Sequence, residues 1–231
     1  MKLALIIAIV GLAAVLLLVF LDRGDRGKPT AAVAEASGFG YKTAWYAVRG
    51  ASPVDVADAL RLRSVHVADW PSGVAASYDS SVFVTPPIST WVLATGVVLG
   101  TPFGADPDPW GTLLALSKRF GQAQVYVTHR VVDLHVWARA DSGRLLRAYG
   151  YLGEEGRTLY DVGQPTPEEQ QLGFRFFDER SPEAQRDDYW ERNDLTYPDE
   201  ESVMAIARKW SIAPIDISAP AISTEGLIGQ Q

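Results

Sequence analysis

Nineteen consecutive residues, Leu3 to Leu21, carry no charge and no hydrogen-bonding side chain. At the helical rise of 1.5 Å per residue such a run reaches about 28 Å, close to the roughly 30 Å hydrocarbon core of a bilayer. Asp22, Arg23, Asp25, Arg26 and Lys28 follow immediately and mark a water interface. The expectation is one transmembrane helix with the lipid bilayer as its partner through residues 3–21, hence a single-pass membrane protein. A cleaved signal peptide competes, because Ala32-Val33-Ala34 has a small-x-small pattern. That site lies more than ten residues beyond the run, and the run exceeds the roughly 7–15 residues of a signal-peptide core. Lys2 and the amino group on one side face Arg23, Arg26 and Lys28 on the other, so the count of positive charges leaves the side of the membrane open.

The 231-residue chain divides into residues 1–28 as anchor and flank, 29–38 as a small, Ala-rich linker, and 39–231 as a single soluble domain. Apolar residues make up 47% and charged residues 21%, a globular rather than disordered balance. The net charge of −7 is unevenly spread: residues 153–202 hold fifteen Asp and Glu against five Arg, a local net of −10. Nucleic acid is therefore not an expected partner, since phosphate binding needs a basic stripe. With no cysteine in the chain, disulfides, thiolate chemistry, iron–sulfur clusters and cysteine zinc sites are excluded.

Helix starts are marked by a capping residue followed by proline, whose missing N–H costs nothing there. Ser52-Pro53 opens a helix to about Leu62, and Asp108-Pro109 one to Phe120. Thr166-Pro167-Glu168-Glu169 reads as a capping box closed by Gly173, and Ser181-Pro182 starts a further helix toward Trp190. Asp199 caps the last, where Val203, Ile206, Ala207 and Trp210 form an i, i+3, i+4, i+7 stripe. Strands are predicted at 43–49, 81–85, 90–99, 124–129, 134–140, 144–152 and 157–162 from their β-branched and aromatic content. The last four form an antiparallel meander with tight turns at Asp141-Ser142-Gly143 and Gly153-Glu154-Glu155-Gly156.

If Ala140 pairs with Arg144, Trp137 lies opposite Arg147 and His135 opposite Tyr149. One face of the meander then carries Leu134, Val136, Ala138, Leu146 and Ala148. The other carries His135, Trp137, Arg139, Arg147, Tyr149 and Tyr151, and pairing Leu152 with Arg157 adds Tyr160 to it. The expected fold is α+β, a mostly antiparallel sheet with a C-terminal four-stranded meander and helices on one face, preceded by the transmembrane helix. The aromatic–basic face is left partly open as the candidate binding surface, since Trp, Tyr and Arg are enriched where binding energy concentrates.

The stretch THRVVDLHVWARADSGRLLRAYGYLGE, with Ala44-Trp45-Tyr46-Ala47-Val48-Arg49 and Ala207-Arg208-Lys209-Trp210-Ser211, resembles a family of bacterial proteins for which no activity is established. The resemblance covers about half of the domain. It implies a bacterial origin, and so a bacterial cell membrane, but no catalytic residues. Chemistry-bearing motifs are weak. His129, Asp133 and His135 could make a two-histidine, one-carboxylate metal site only if an unknown turn brought them together. There is no nucleophile elbow of the G-x-S-x-G type and no phosphate loop, so no cofactor is expected. Of the carboxylate pairs Glu154-Glu155, Glu168-Glu169, Asp187-Asp188 and Glu200-Glu201, one is expected in a turn, two at helix starts and one on a helix face, so each has a structural explanation. The reading is thus a membrane-anchored, non-enzymatic protein-interaction domain, of the kind that neutralises a toxin or senses another protein. The alternative is a hydrolase or metal-dependent enzyme using His129 or His135 with a nearby carboxylate.

Overall fold

The computed structural model describes residues 35–218 and 225–231. In chain order the described strands are β1 (Ala44–Arg49), β2 (Arg63–Asp69), β3 (Val82–Val84), β4 (Trp91–Gly96), β5 (Gln122–His129), β6 (Leu134–Asp141), β7 (Arg144–Leu152), β8 (Arg157–Val162) and β9 (Glu225–Gln230). They form one sheet in the order β2-β9-β3-β4-β1-β5-β6-β7-β8, and every neighbouring pair is antiparallel. The helices are α1 (Pro53–Ala59), α2 (Trp70–Ser77), α3 (Gly111–Phe120), α4 (Pro167–Gln171), α5 (Asp187–Trp190) and α6 (Glu200–Trp210).

Successive strand residues point to opposite faces, so β1 divides itself between two cores: Ala44, Tyr46 and Val48 face one side, Trp45 and Ala47 the other. The first core is largely aliphatic. Val56 and Ala57 of α1 and Leu113 and Leu116 of α3 pack there against Val92, Val125, Val136 and Ala138. The second is aromatic. Trp70 of α2 and the whole stripe Val203, Ile206, Ala207 and Trp210 of α6 pack there against Phe83, Leu93, Tyr126, Trp137 and Tyr149. The chain packs into this second core from Ala36 onward, and Trp70 Nε1 donates to the Ser37 carbonyl at 2.9 Å.

The expected fold class is corrected by this arrangement. The sheet has nine described strands where seven were expected, and helices cover both faces rather than one. Among the described residues no helix is long and apolar enough to cross a membrane. The run Leu3–Leu21, expected as a transmembrane helix, lies outside the described residues.

Several local expectations fail by small, physical amounts. The Pro109 helix starts at Gly111, without a side-chain cap. The Ser181–Trp190 helix is two short pieces, a 3-10 turn at Pro182–Gln185 and α5. The β6–β7 register is shifted: Trp137 lies opposite Tyr149, His135 opposite Tyr151, and Arg139 opposite Arg147. Asp141 pairs with Arg144 and Ala140 with Leu145, and a bulge separates these pairs from Arg139 opposite Arg147. A second bulge places Tyr160 opposite Gly150, which moves its ring to the aliphatic core, where it packs on Trp110 and Phe103. One extra residue in a strand exchanges the faces of everything beyond it.

Candidate functional site

The aromatic–basic face of the meander is covered. The cover starts at the capping box of α4, where Thr166 Oγ1 accepts from the Glu169 N–H at 3.2 Å and Glu169 Oε2 accepts from the Thr166 N–H at 2.7 Å. The same carboxylate reaches down to the sheet. It accepts from Arg147 Nε, 3.0 Å from both oxygens, and its Oε1 accepts from Trp137 Nε1 at 2.9 Å. Arg147 Nη1 in turn donates to Asp161 Oδ1 at 2.6 Å and to the carbonyls of Ala148, Val162 and Gly163, each at 3.2 Å. Arg147 is 4% exposed and Glu169 2%. A buried pair of this kind holds only when its remaining donors and acceptors are matched, and here backbone carbonyls supply the matching.

Beyond Gly173, which has a left-handed backbone (φ +72°), the chain turns back across the sheet and lays Phe174 and Phe176 over it. Both rings sit 5.7 Å from Trp137, and Phe176 stacks on Tyr149 at 4.9 Å. Tyr151 meets Tyr197 at 5.7 Å, and the Arg139 guanidinium lies over the Trp210 ring. His135 is buried, with Nε2 2.7 Å from Asp133 Oδ1. Of the six expected binding residues, therefore, His135, Trp137, Arg147, Tyr149 and Tyr151 are interior, and Arg139 alone is half-buried. The face expected to be partly open is a second core with a buried ion pair.

The cover is not seamless. A cavity of about 250 Å³ remains beneath it, with Arg147, Tyr149, Asp161, Phe176 and Arg180 among its walls. Burial pushes the Tyr149 phenol well above its ordinary value, and the nearby Thr158 hydroxyl acts in the opposite direction. Thr158 is tied into the cover through its hydroxyl, 3.0 Å from Glu179 Oε2.

What this side does present to solvent is an aromatic shelf. Phe177 stacks on Trp190 at 5.6 Å and on Tyr197 at 4.7 Å, and Tyr189 meets Trp190 edge-on. Trp190 is 41% exposed and Tyr197 47%. Around the shelf the carboxylates are partly neutralised in exposed pairs: Arg186 with Asp188, Arg192 and Arg175 with Asp194, and Arg180 with Asp178 and Asp161. The Arg192 guanidinium, with Arg175 beside it, holds the Asp194 carboxyl down at about 2. The expected site did not include Glu169, Phe174, Phe176 or the shelf. The alternation Phe174-Arg175-Phe176 was the available signal for a segment laid flat on a sheet, whereas Glu169 reads as a helix cap and nothing more.

His129 and His135 do not form a site together. Thr128 pairs with His135 and His129 with Leu134, so the two imidazoles leave the sheet on opposite faces. Among the described residues no group of three His, Asp or Glu side chains could hold a metal ion. His129 lines a separate cavity of about 400 Å³ that contains no carboxylate among its described walls.

No protein-family model, no curated protein and no solved structure matches this chain.

Proposed function

We propose that the domain is a non-enzymatic protein-interaction module whose acidic, aromatic shelf receives a lysine- and arginine-rich face of another protein. The observation that carries the reading is the exposure of Trp190 and Tyr197, stacked on Phe177, within the stretch of net charge −10. Large rings held rigid by stacking present contact area at low entropic cost, and a surrounding field of one sign selects and steers a partner of the other. The divergent histidines lend the enzymatic alternative no support. The uncharged run Leu3–Leu21 supports a place for the domain at a bacterial membrane, with the bilayer as a second partner. A protein that neutralises a basic toxin would need this kind of surface.

The test is titration of the full chain with two peptide pools matched in length and aromatic content, one basic and one acidic. The basic pool should bind, and raising the salt should weaken it, because exposed charges are screened beyond about 8 Å at physiological ionic strength. The double variant W190A/Y197A should lose at least tenfold in affinity while the domain stays folded, each substitution costing up to about 3 kcal/mol because both rings stack on Phe177. Equal binding of both pools, or an unchanged affinity in the variant, removes the shelf as the binding surface.

A further inference from the structure

A cavity of about 400 Å³ is at the end of β1 and β5, away from the aromatic shelf. Its inner wall is apolar, built from the buried side chains of Phe103, Val127 and Leu134, with Val97 and Val132 half-buried nearer the mouth. Of the three threonines in the wall, Thr101 is exposed and the two buried ones, Thr43 and Thr128, already have hydrogen-bond partners. Thr128 Oγ1 accepts from the Lys42 N–H at 3.1 Å, and Thr43 Oγ1 lies 3.3 Å from Thr95 Oγ1. The cavity therefore asks for no polar group at depth.

Its mouth is different. Lys42 and His129 are both exposed there. Lys42 has a left-handed backbone (φ 55°), held by the bond from its N–H to Thr128, and no described carboxylate pairs with its ammonium. The acidic groups on the neighbouring helix are otherwise engaged: Glu200 with Arg130 at 3.0 Å, and Glu201 as acceptor from the Tyr41 hydroxyl at 2.6 Å. An apolar interior beneath a cationic, carboxylate-free mouth is complementary to an amphiphile with one anionic end. The volume is at the lower end of small-molecule sites, which span roughly 300–1,000 Å³, and so suits a single chain of medium length.

We infer that this cavity binds a medium-chain carboxylate, with its alkyl chain against Phe103, Val127 and Leu134 and its carboxylate between the Lys42 ammonium and an N–H of the His129 ring. The site shares no residue with the shelf, so either reading can fail alone.

The experiment is calorimetric titration of the full chain with octanoate and decanoate, below their micellar range, beside decanol and decyltrimethylammonium. Decanoate should bind more tightly than octanoate, by up to about fourfold for each added methylene, the factor that corresponds to ~0.8 kcal/mol of burial. Decanol should bind more weakly than decanoate, and decyltrimethylammonium most weakly. K42E should reduce decanoate affinity at least tenfold with an unchanged melting temperature, because Lys42 is exposed, and K42R should restore it. V132F, which fills the mouth with a ring, should also weaken binding; if it does not fold, the head-group series and the Lys42 variants decide alone. Binding of decyltrimethylammonium as tight as that of decanoate, wild-type affinity in K42E, or no binding at millimolar decanoate would overturn the assignment.

Discussion

The two faces of the sheet are held by different means. On one, α1 and α3 lay aliphatic stripes on small strand residues, and no Arg, Asp or Glu is buried among the described residues of that core. On the other, α6 and the segment after α4 enclose Trp45, Trp137, Tyr126 and Tyr149 together with buried polar groups, several of them matched, while Trp45 Nε1 and the Tyr149 hydroxyl have no hydrogen-bond partner. Arg147 and Glu169 are one such match. Gln124 is another: its Nε2 donates to the Trp210 carbonyl at 3.1 Å, and its Oε1 accepts from the Tyr126 hydroxyl at 2.7 Å. An aliphatic interface tolerates sliding and repacking, since dispersion and burial are non-directional. An interface with buried charge has one correct register and a large penalty for any other. The aromatic face is thus more specific than its partner and more fragile.

Alkali should produce the largest effect on that contrast. Burial raises the phenols of Tyr126 and Tyr149 on the aromatic face well above the ordinary 10.0, and Tyr151 to about 12. On the aliphatic face it raises Tyr46 to about 12 and also lifts Tyr160. A group whose folded-state pKa is raised contributes stability that is complete below its unfolded value and is lost as the pH climbs toward the folded one. Stability should therefore hold up to about pH 10 and then fall steeply, with the tyrosinate absorbance beyond that of the exposed Tyr78 and Tyr197 and the half-buried Tyr41 appearing together with the loss of near-ultraviolet circular dichroism. More than these three tyrosines titrating near pH 10 in a domain still folded would show the buried rings to be accessible.

Next in size is the buried pair. Glu169→Ala, or Arg147→Ala, should cost on the order of 3–5 kcal/mol in denaturant unfolding, because either leaves a buried charge unmatched. This reverses what an open, partner-facing Arg147 would give, a nearly silent substitution. Arg147→Met combined with Glu169→Gln should recover most of the loss, since the glutamine oxygen can still accept from Trp137 Nε1 and no charge is left buried. Additive losses in the double variant would break the comparison, for the pair would then contribute nothing beyond its parts.

The smallest of the three effects is expected on the aliphatic face. Leu113→Ala in α3 should cost about 2–4 kcal/mol through lost burial and a residual cavity, and Leu113→Met less than about 1.5. A Met substitution as costly as Ala would mean that this face, too, is held by shape rather than by apolarity.

Much of the architecture was legible because it follows from short-range rules. The caps at Ser52, Thr166 and Asp199, the stripe of α6, the four meander strands and the α+β class all come from periodicity and from donors that need partners. The strands β2 and β9 were not legible. Apart from half-buried Ala68, β2 is exposed along its length and so carries no buried alternation. In β9, Gly226 and Gly229 read as loop residues, but a side chain at 226 would strike Phe83 and the Val84 carbonyl, and one at 229 would strike Leu62. Those glycines are there for strand neighbours about 140 and 165 positions away, which no local window contains. The candidate site divides in the same way. Which residues are aromatic and basic, and that they alternate along β6 and β7, is fixed by order in the chain. Whether that face is open was decided by Glu169, a cap residue that also neutralises Arg147, and by the Phe174 and Phe176 rings laid over it, while a bulge between β7 and β8 decided that Tyr160 leaves it. Burial depends on what arrives from elsewhere in the chain, and a carboxylate that satisfies a helix N-terminus looks the same in sequence whether or not an arginine is waiting beneath it.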